Sequence, residues 1–192
     1  SSGSAAGLVT AAGHHEPFKN YGSGTYVSYT GSGIEARQVS GEWVVYYPSG
    51  AKDFFDSAGK LLRRANAQGQ VTVVNRDEDG QIESIEGPFG HTLTFEHTEW
   101  GAVSKVTDPA GEDILYDYDS ERRLASVTYQ DGSVRTYHYE DNDFPKYVTG
   151  ITDENGERYA TYAYDDDGRA LSSEHAGGSG EITLAYTAST TT

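Results

Sequence analysis

The residues whose types and spacing come closest to a chemical site run from Asn75 to Glu86. Asn75, Asp77 and Asp79 place side-chain oxygens at alternate positions, Gly80 allows a sharp turn, and Glu86 closes the segment. This is the spacing of an EF-hand calcium loop, with Asn in place of the usual first Asp. The flanks argue against that chemistry: Val71–Val74 and Ile82–Ile85 have strand character, whereas an EF-hand loop sits between helices. A solvated acidic turn accounts for the same residues. Asp165-Asp166-Asp167-Gly168 and Glu140-Asp141-Asn142-Asp143 are acidic turns of the same kind. Paired carboxylates that hydrolyse glycosides need a cleft and one desolvated acid, and turn positions are wet. Adjacent His14 and His15 do not converge on one ion and have no evident third ligand, so they read as linker.

The wider inventory narrows the function. There is no Cys, hence no disulfide, thiolate zinc site or thiol nucleophile. No G-x-S-x-G, HExxH or glycine-rich phosphate loop occurs. The chain is therefore expected to be non-catalytic and to need no cofactor. A formal net charge of −16 leaves no Lys/Arg cluster for a phosphate backbone, so nucleic acid is not expected as a partner. No apolar run suits a membrane-spanning helix or a secretory signal, so membrane insertion is not expected. Apolar residues make up only 35%, which alone points toward disorder, but 15 Tyr, 6 Phe and 2 Trp supply the amphipathic rings that half-buried sheets use.

What must position all of these residues is a repeat. Glycines 69, 90, 111, 132, 156 and 180 are spaced by 21, 21, 21, 24 and 24 residues. A second series interleaves with them: Gly59, Gly80, Gly101, Arg122, Asp143 and Gly168. Six positions before each member of this second series, from Gly80 onward, stand Val74, Phe95, Tyr116, Tyr137 and Tyr162. Two residues further on come Arg76, His97, Tyr118, Tyr139 and Tyr164, so the last three copies read Tyr-x-Tyr. Leu184 and Tyr186 form a looser copy. Columns sharing one period predict stacked supersecondary units. Alternating runs around Gln130-Asp131-Gly132 predict a β-hairpin with a primed turn. The fold class expected is all-β: tandem antiparallel hairpins forming one curled, twisted sheet, with the Val74-to-Tyr162 series as a column on one face.

Tyr116-Asp-Tyr-Asp-Ser-Glu-Arg-Arg-Leu-Ala-Ser-Val127, Thr161-Tyr-Ala-Tyr-Asp-Asp-Asp-Gly-Arg169 and Gly150-Ile-Thr-Asp-Glu-Asn-Gly156 resemble the repeats of the YD-repeat, or rearrangement-hotspot (RHS), family. The resemblance covers roughly residues 50–186. It implies a segment of a spiral shell. Its partners would be neighbouring repeats of a longer parent chain and an enclosed toxin or effector, and its location secreted or at the cell surface. Related shells occur in toxin-complex subunits and in teneurins, where they display adhesive surfaces. Asp108-Pro-Ala-Gly111 is similar to an element of the family's shell-closing core, but Gly111 is in register, so it reads as an ordinary turn. The family also allows carbohydrate binding, with Trp43, Trp100 and Tyr147 as ring platforms and edge packing as the competing role.

The chain divides by pattern into a flexible start at residues 1–20, divergent first strands at 21–50, the regular hairpin array at 51–186 and a polar tail at 187–192. Within the array, residues 140–160 belong to a longer unit, with Pro145 in place of an aliphatic residue, that is expected to make a bulge or wider turn and carry Phe144 into a protected site.

Overall fold

The computed structural model describes residues 6–9, 15–22 and 24–186; His14, the polar start 1–5 and the tail 187–192 lie outside the described residues. The chain forms two compact units, residues 1–94 and 95–192, a division that does not follow the pattern boundaries at 20 and 50. The first unit holds β1 (Ala6–Val9), β2 (His15–Asn20), β3 (Thr25–Ser28), β4 (Glu35–Val39), β5 (Glu42–Tyr46), β6 (Lys52–Phe55), β7 (Leu61–Ala65), β8 (Val71–Arg76) and β9 (Ile82–Glu86). β10 (Thr92–His97) spans the unit boundary. The second unit continues with β11 (Val103–Thr107), β12 (Asp113–Tyr118), β13 (Leu124–Thr128), β14 (Val134–His138), β15 (Gly150–Thr152), β16 (Arg158–Tyr164), β17 (Ala170–His175) and β18 (Ser179–Thr183).

The fold is all-β, as the periodicity requires. The eighteen described strands belong to one sheet, and the only helical turn among the described residues is Ala176–Gly178. From β1 to β9, and again from β11 to β18, each strand pairs antiparallel with the next in sequence. Two strands precede the start expected at Tyr21: β1 pairs with β2, Leu8 opposite Glu16. Alternation sets the burial. In β12, Ile114, Tyr116 and Tyr118 are half-buried while Asp113, Leu115 and Asp117 are exposed.

The hairpin turns repeat one hydrogen-bond scheme. In Tyr129-Gln130-Asp131-Gly132, the Gly132 N–H donates to the Tyr129 carbonyl at 2.9 Å, and the Tyr129 N–H donates to the Ser133 carbonyl at 2.9 Å. Gly132 has φ +81°, whereas Asp131 is not left-handed. This corrects the primed two-residue turn, which would need positive φ at both central residues; the loop is a longer one closed by a left-handed glycine. The same pair of bonds recurs at Gly59, Gly69, Gly80, Gly90, Gly101, Gly111, Gly156 and Gly168. Arg122 replaces the glycine and keeps both the bond and the conformation, at φ +63°. Asp143 does not: residues 139–149 form a wide link between β14 and β15 with no left-handed residue among them.

Buried apolar side chains are few. In the first unit Phe18, Ala36 and Val45 form a small core with Leu8, Tyr26, Ile34, Trp43, Tyr47 and Phe55 packed against it. The strands curl enough there for Leu8 and Val9 of β1 and Ser57–Gly59 after β6 to line one cleft of about 460 Å³. In the second unit the only buried apolar residues among those described are Val127 and Ala160.

Left-handed backbone at a residue with a β-carbon costs about 1–2 kcal/mol. Urea unfolding of Gly132→Ala is expected to show a loss of that size. Arg122→Gly relieves the same strain but loses the guanidinium lying 5.2 Å from the Trp100 ring centre, a contact of about 0.5–1 kcal/mol. Its net change is expected to be stabilising and below about 1 kcal/mol.

Candidate functional site

The paired tyrosines do different work. Tyr116 faces Val127 across the β12–β13 ladder, Tyr137 faces Ile151, and Tyr162 faces Ser173. The expected column is therefore not a run of ring against ring: these tyrosines occupy every second strand and face smaller side chains. In two of the three pairs the second tyrosine follows a register shift, between Asp117 and Tyr118 and between Ala163 and Tyr164. A bulge re-aims the side chain that follows it. The Tyr118 hydroxyl thereby donates to the Val103 carbonyl at 2.8 Å. Tyr139 donates to Leu124 at 3.0 Å, Tyr164 to Val148 at 2.8 Å and Tyr186 to Ala170 at 2.9 Å. Each hydroxyl thus caps a carbonyl fifteen or sixteen residues back, at the end of the hairpin away from its turn, tying each strand to the segment before it in the sheet.

The aspartate beside the tyrosine completes this latch. Asp119 Oδ1 accepts the N–H groups of Glu121 and Arg123, both at 2.9 Å. Asp56, Asn66, Asp108, Asp153 and Asp165 accept the same two bonds in their turns. Asp119 Oδ2 also takes Arg123 Nε at 2.6 Å, and that guanidinium lies 4.6 Å from the Tyr139 ring centre. Asp165, Arg169 and Tyr186 repeat the arrangement, at 2.7 and 4.5 Å. One composite thus joins turn, ion pair, ring and hydroxyl. These bonds act on ionisation. Hydrogen bonds from the Arg123 backbone hold Asp119 below the usual carboxylate range, and the Arg169 side chain does so for Asp165. Backbone donors from Glu112 and Glu157 lower Asp108 and Asp153, and the Ser133 hydroxyl lowers Asp131. Burial raises Tyr118, Tyr139 and Tyr164.

The other expected residues are dispersed. Asn75 donates to Ser84 Oγ across the β8–β9 hairpin at 3.0 Å. Asp77 Oδ1 accepts the Gln81 N–H at 2.8 Å, Asp79 is exposed in the same turn, and Glu86 stands opposite Val73. The segment is a hairpin, and among the described residues no cluster of three or more His, Asp or Glu could hold a metal ion. The three ring platforms do not form one site. Trp43 lines the first unit's cleft, edge-on to Tyr26 at 5.0 Å. Trp100, 43% exposed, meets Tyr118 edge-on at 5.9 Å and the Arg122 guanidinium at 5.2 Å. Tyr147 stacks on Phe144 at 5.1 Å and meets Tyr164 at 4.8 Å, so the wide link does carry Phe144 into a packed aromatic block. The Arg123 guanidinium donates to the Pro145 carbonyl and fixes that link.

The pattern gave no sign of one cluster. Asp53, only 2% exposed, accepts two bonds from Arg64 at 2.6 Å and one from the Tyr47 hydroxyl at 2.8 Å. Burial, reinforced by Asp53, pushes Tyr47 up to about 12, and the Asp53 hydrogen bond raises Arg64. Register joins the three elements: Val45, Asp53 and Arg64 face one another across β5, β6 and β7. The sole hint in the sequence is an acid at an inward strand position.

The model of the teneurin YD-shell family matches residues 55–182. No curated protein matches the chain. Among solved structures, the chain is similar to the crystal structure of TcdB2-TccC3-TEV, with 10% identity, a TM-score of 0.51, and coverage of 91% of this chain and 10% of that one. For the crystal structure of TcdB2-TccC3 the values are 10%, 0.50, 88% and 10%. At this identity the likeness concerns the fold, and the chain spans about a tenth of those chains.

Two measurements test the latch. Tyr139→Phe removes the bond to Leu124 and is expected to cost about 1 kcal/mol in urea unfolding, whereas Tyr137→Phe is expected to change stability little. Stability is also bounded by pH from both sides. The lowered aspartates contribute above their unfolded value of about 4, and that contribution is lost as pH falls through their folded values. The raised Tyr47 contributes below its unfolded value of about 10, and its share is lost as pH rises through about 12. A pH series of thermal midpoints is expected to fall on both flanks, with the alkaline fall reduced in Tyr47→Phe.

Proposed function

Since the chain belongs to the teneurin YD-shell family, we propose that it is a non-catalytic wall segment of a YD-repeat shell enclosing a toxin or effector in a secreted polymorphic toxin. Hairpins 51–186 supply the wall, the strands before them lead into it, and neighbouring repeats of a longer parent chain and the enclosed polypeptide are the partners. The observation that carries this reading is the latch. Each Tyr-x-Tyr copy in the second unit spends its second hydroxyl on the segment just before it in the sheet, an arrangement that propagates a sheet and builds no pocket. A secreted or cell-surface location agrees with this role. The alternative is a carbohydrate-binding or adhesive module. It is favoured by the exposure of Trp100 but opposed by the side chains already lying against Trp100 and Tyr147.

Limited proteolysis of the parent protein tests the shell. Combining Tyr118→Phe, Tyr139→Phe and Tyr164→Phe is expected to expose the enclosed polypeptide to protease while the repeat sheet stays folded by circular dichroism. Equal protection in the variant and the unmodified protein overturns the reading. In parallel, oligosaccharide titrations followed by Trp fluorescence are expected to show no saturable change. A saturable change lost in Trp100→Phe supports the adhesive module instead.

A further inference from the structure

The geometry points to Asn155 as a site of spontaneous deamidation. The Gly156 backbone nitrogen attacks the Asn155 side-chain carbonyl carbon and loses its proton to solvent. The C–N bond to the amide breaks, ammonia leaves, and a succinimide closes. Water then adds to one of its two carbonyls, giving aspartate or isoaspartate. The step needs no reactant besides water.

The chain has five asparagines, and the residues after them are Tyr21, Ala67, Arg76, Asp143 and Gly156. Only at Asn155 does the attacking nitrogen belong to a residue without a β-carbon to obstruct it. Three of the others are held. Asn20 Oδ1 accepts the Gly22 N–H at 2.7 Å, Asn66 Oδ1 accepts two turn N–H groups, and Asn75 donates to Ser84. Asn142 is exposed, but the Asp143 N–H is engaged by Asp141 at 2.9 Å and carries its own carboxymethyl group. Asn155 sits at the exposed tip of the β15–β16 hairpin, where Asp153 rather than Asn155 caps the turn. The Asn155 amide has only a 3.4 Å contact with Asp153 Oδ2.

One bond restrains the reaction: the Gly156 N–H donates to the Asp153 carbonyl at 3.0 Å. Attack waits for that turn to open, so its rate reports local opening of a hairpin whose first strand is only three residues long. The product is not neutral for the turn. Isoaspartate adds a backbone atom between positions holding the bonds of Asp153 with Gly156 and Glu157. The new carboxylate also joins Asp153, Glu154 and Glu157, of which Glu154 is paired with Arg135 at 2.8 Å.

The test incubates the folded chain in mildly alkaline buffer beside a free peptide of residues 152–158, with peptide mapping and isoaspartate detection over time. Asn155 is expected to convert before each of the other four asparagines, more slowly than in the peptide. Asp153→Ala, which removes the cap, is expected to convert several-fold faster, and Asn155→Ser is expected to abolish the isoaspartate signal. The proposal is overturned if another asparagine converts first. It is also overturned if no isoaspartate forms at Asn155 of the folded chain over the time course, or if Asp153→Ala leaves the rate unchanged.

Discussion

The constraint on which this structure depends is the unpaired carbonyl at the start of each hairpin strand. Packing within each unit runs between strands consecutive in sequence, so cohesion must run along the sheet. A short hairpin cannot cover its own apolar face. At Leu124 and Ala170 a register shift against the preceding strand also disturbs the ladder. A tyrosine hydroxyl from the segment that follows takes up the carbonyl. Val103, Leu124, Val148 and Ala170 each receive one. In the second unit these carbonyls are therefore completed by the segment that follows, as a repeat stabilised by its neighbours requires.

The aspartate follows from the same requirement. A left-handed residue closes the turn, and the N–H groups at its third and fifth positions are open to a side-chain acceptor. A short carboxylate at the first position reaches both, as Asp119 and Asp165 do. Its second oxygen is then free to hold an arginine over the next tyrosine ring. Tyrosine and aspartate are thus adjacent in sequence because the ring closes one interface while the carboxylate prepares the next. Where the aspartate is replaced, substitutes keep part of the scheme: Thr98 Oγ1 still accepts the Ala102 N–H.

Periodicity made the strands, turns and repeat legible, because glycine spacing and alternation report backbone demands directly. The turn class was not legible: Asp131-Gly132 suits a primed turn, and only the five-residue bond pattern distinguishes the longer loop. Arg122 shows that position can outweigh residue type, since tertiary bonds hold a non-glycine in left-handed backbone. The tyrosine column was half legible. Spacing located the rings, but the bulge that turns Tyr118 away from the ladder direction leaves no mark in composition. The Asp53–Arg64 pair was invisible for a similar reason, because a charge at an inward position is explained only by its partner on the next strand. The ring platforms were legible as aromatic and misleading as surfaces, since only coordinates show which faces are occupied.

The ionisation pattern adds an argument about function that does not rest on likeness. A general acid at neutral pH needs a carboxyl lifted by burial or by a neighbouring anion. Every carboxylate with a resolved displacement here moves the other way, through donated hydrogen bonds at turns or pairing with arginine. The second unit holds twenty Asp and Glu against seven Lys and Arg, yet its acids are distributed one turn at a time as structural acceptors. Such a surface keeps exposed strand edges soluble and repels other acidic sheets. The lowered carboxylates are engaged at turns or with arginine, an allocation that agrees with the wall role proposed for this chain.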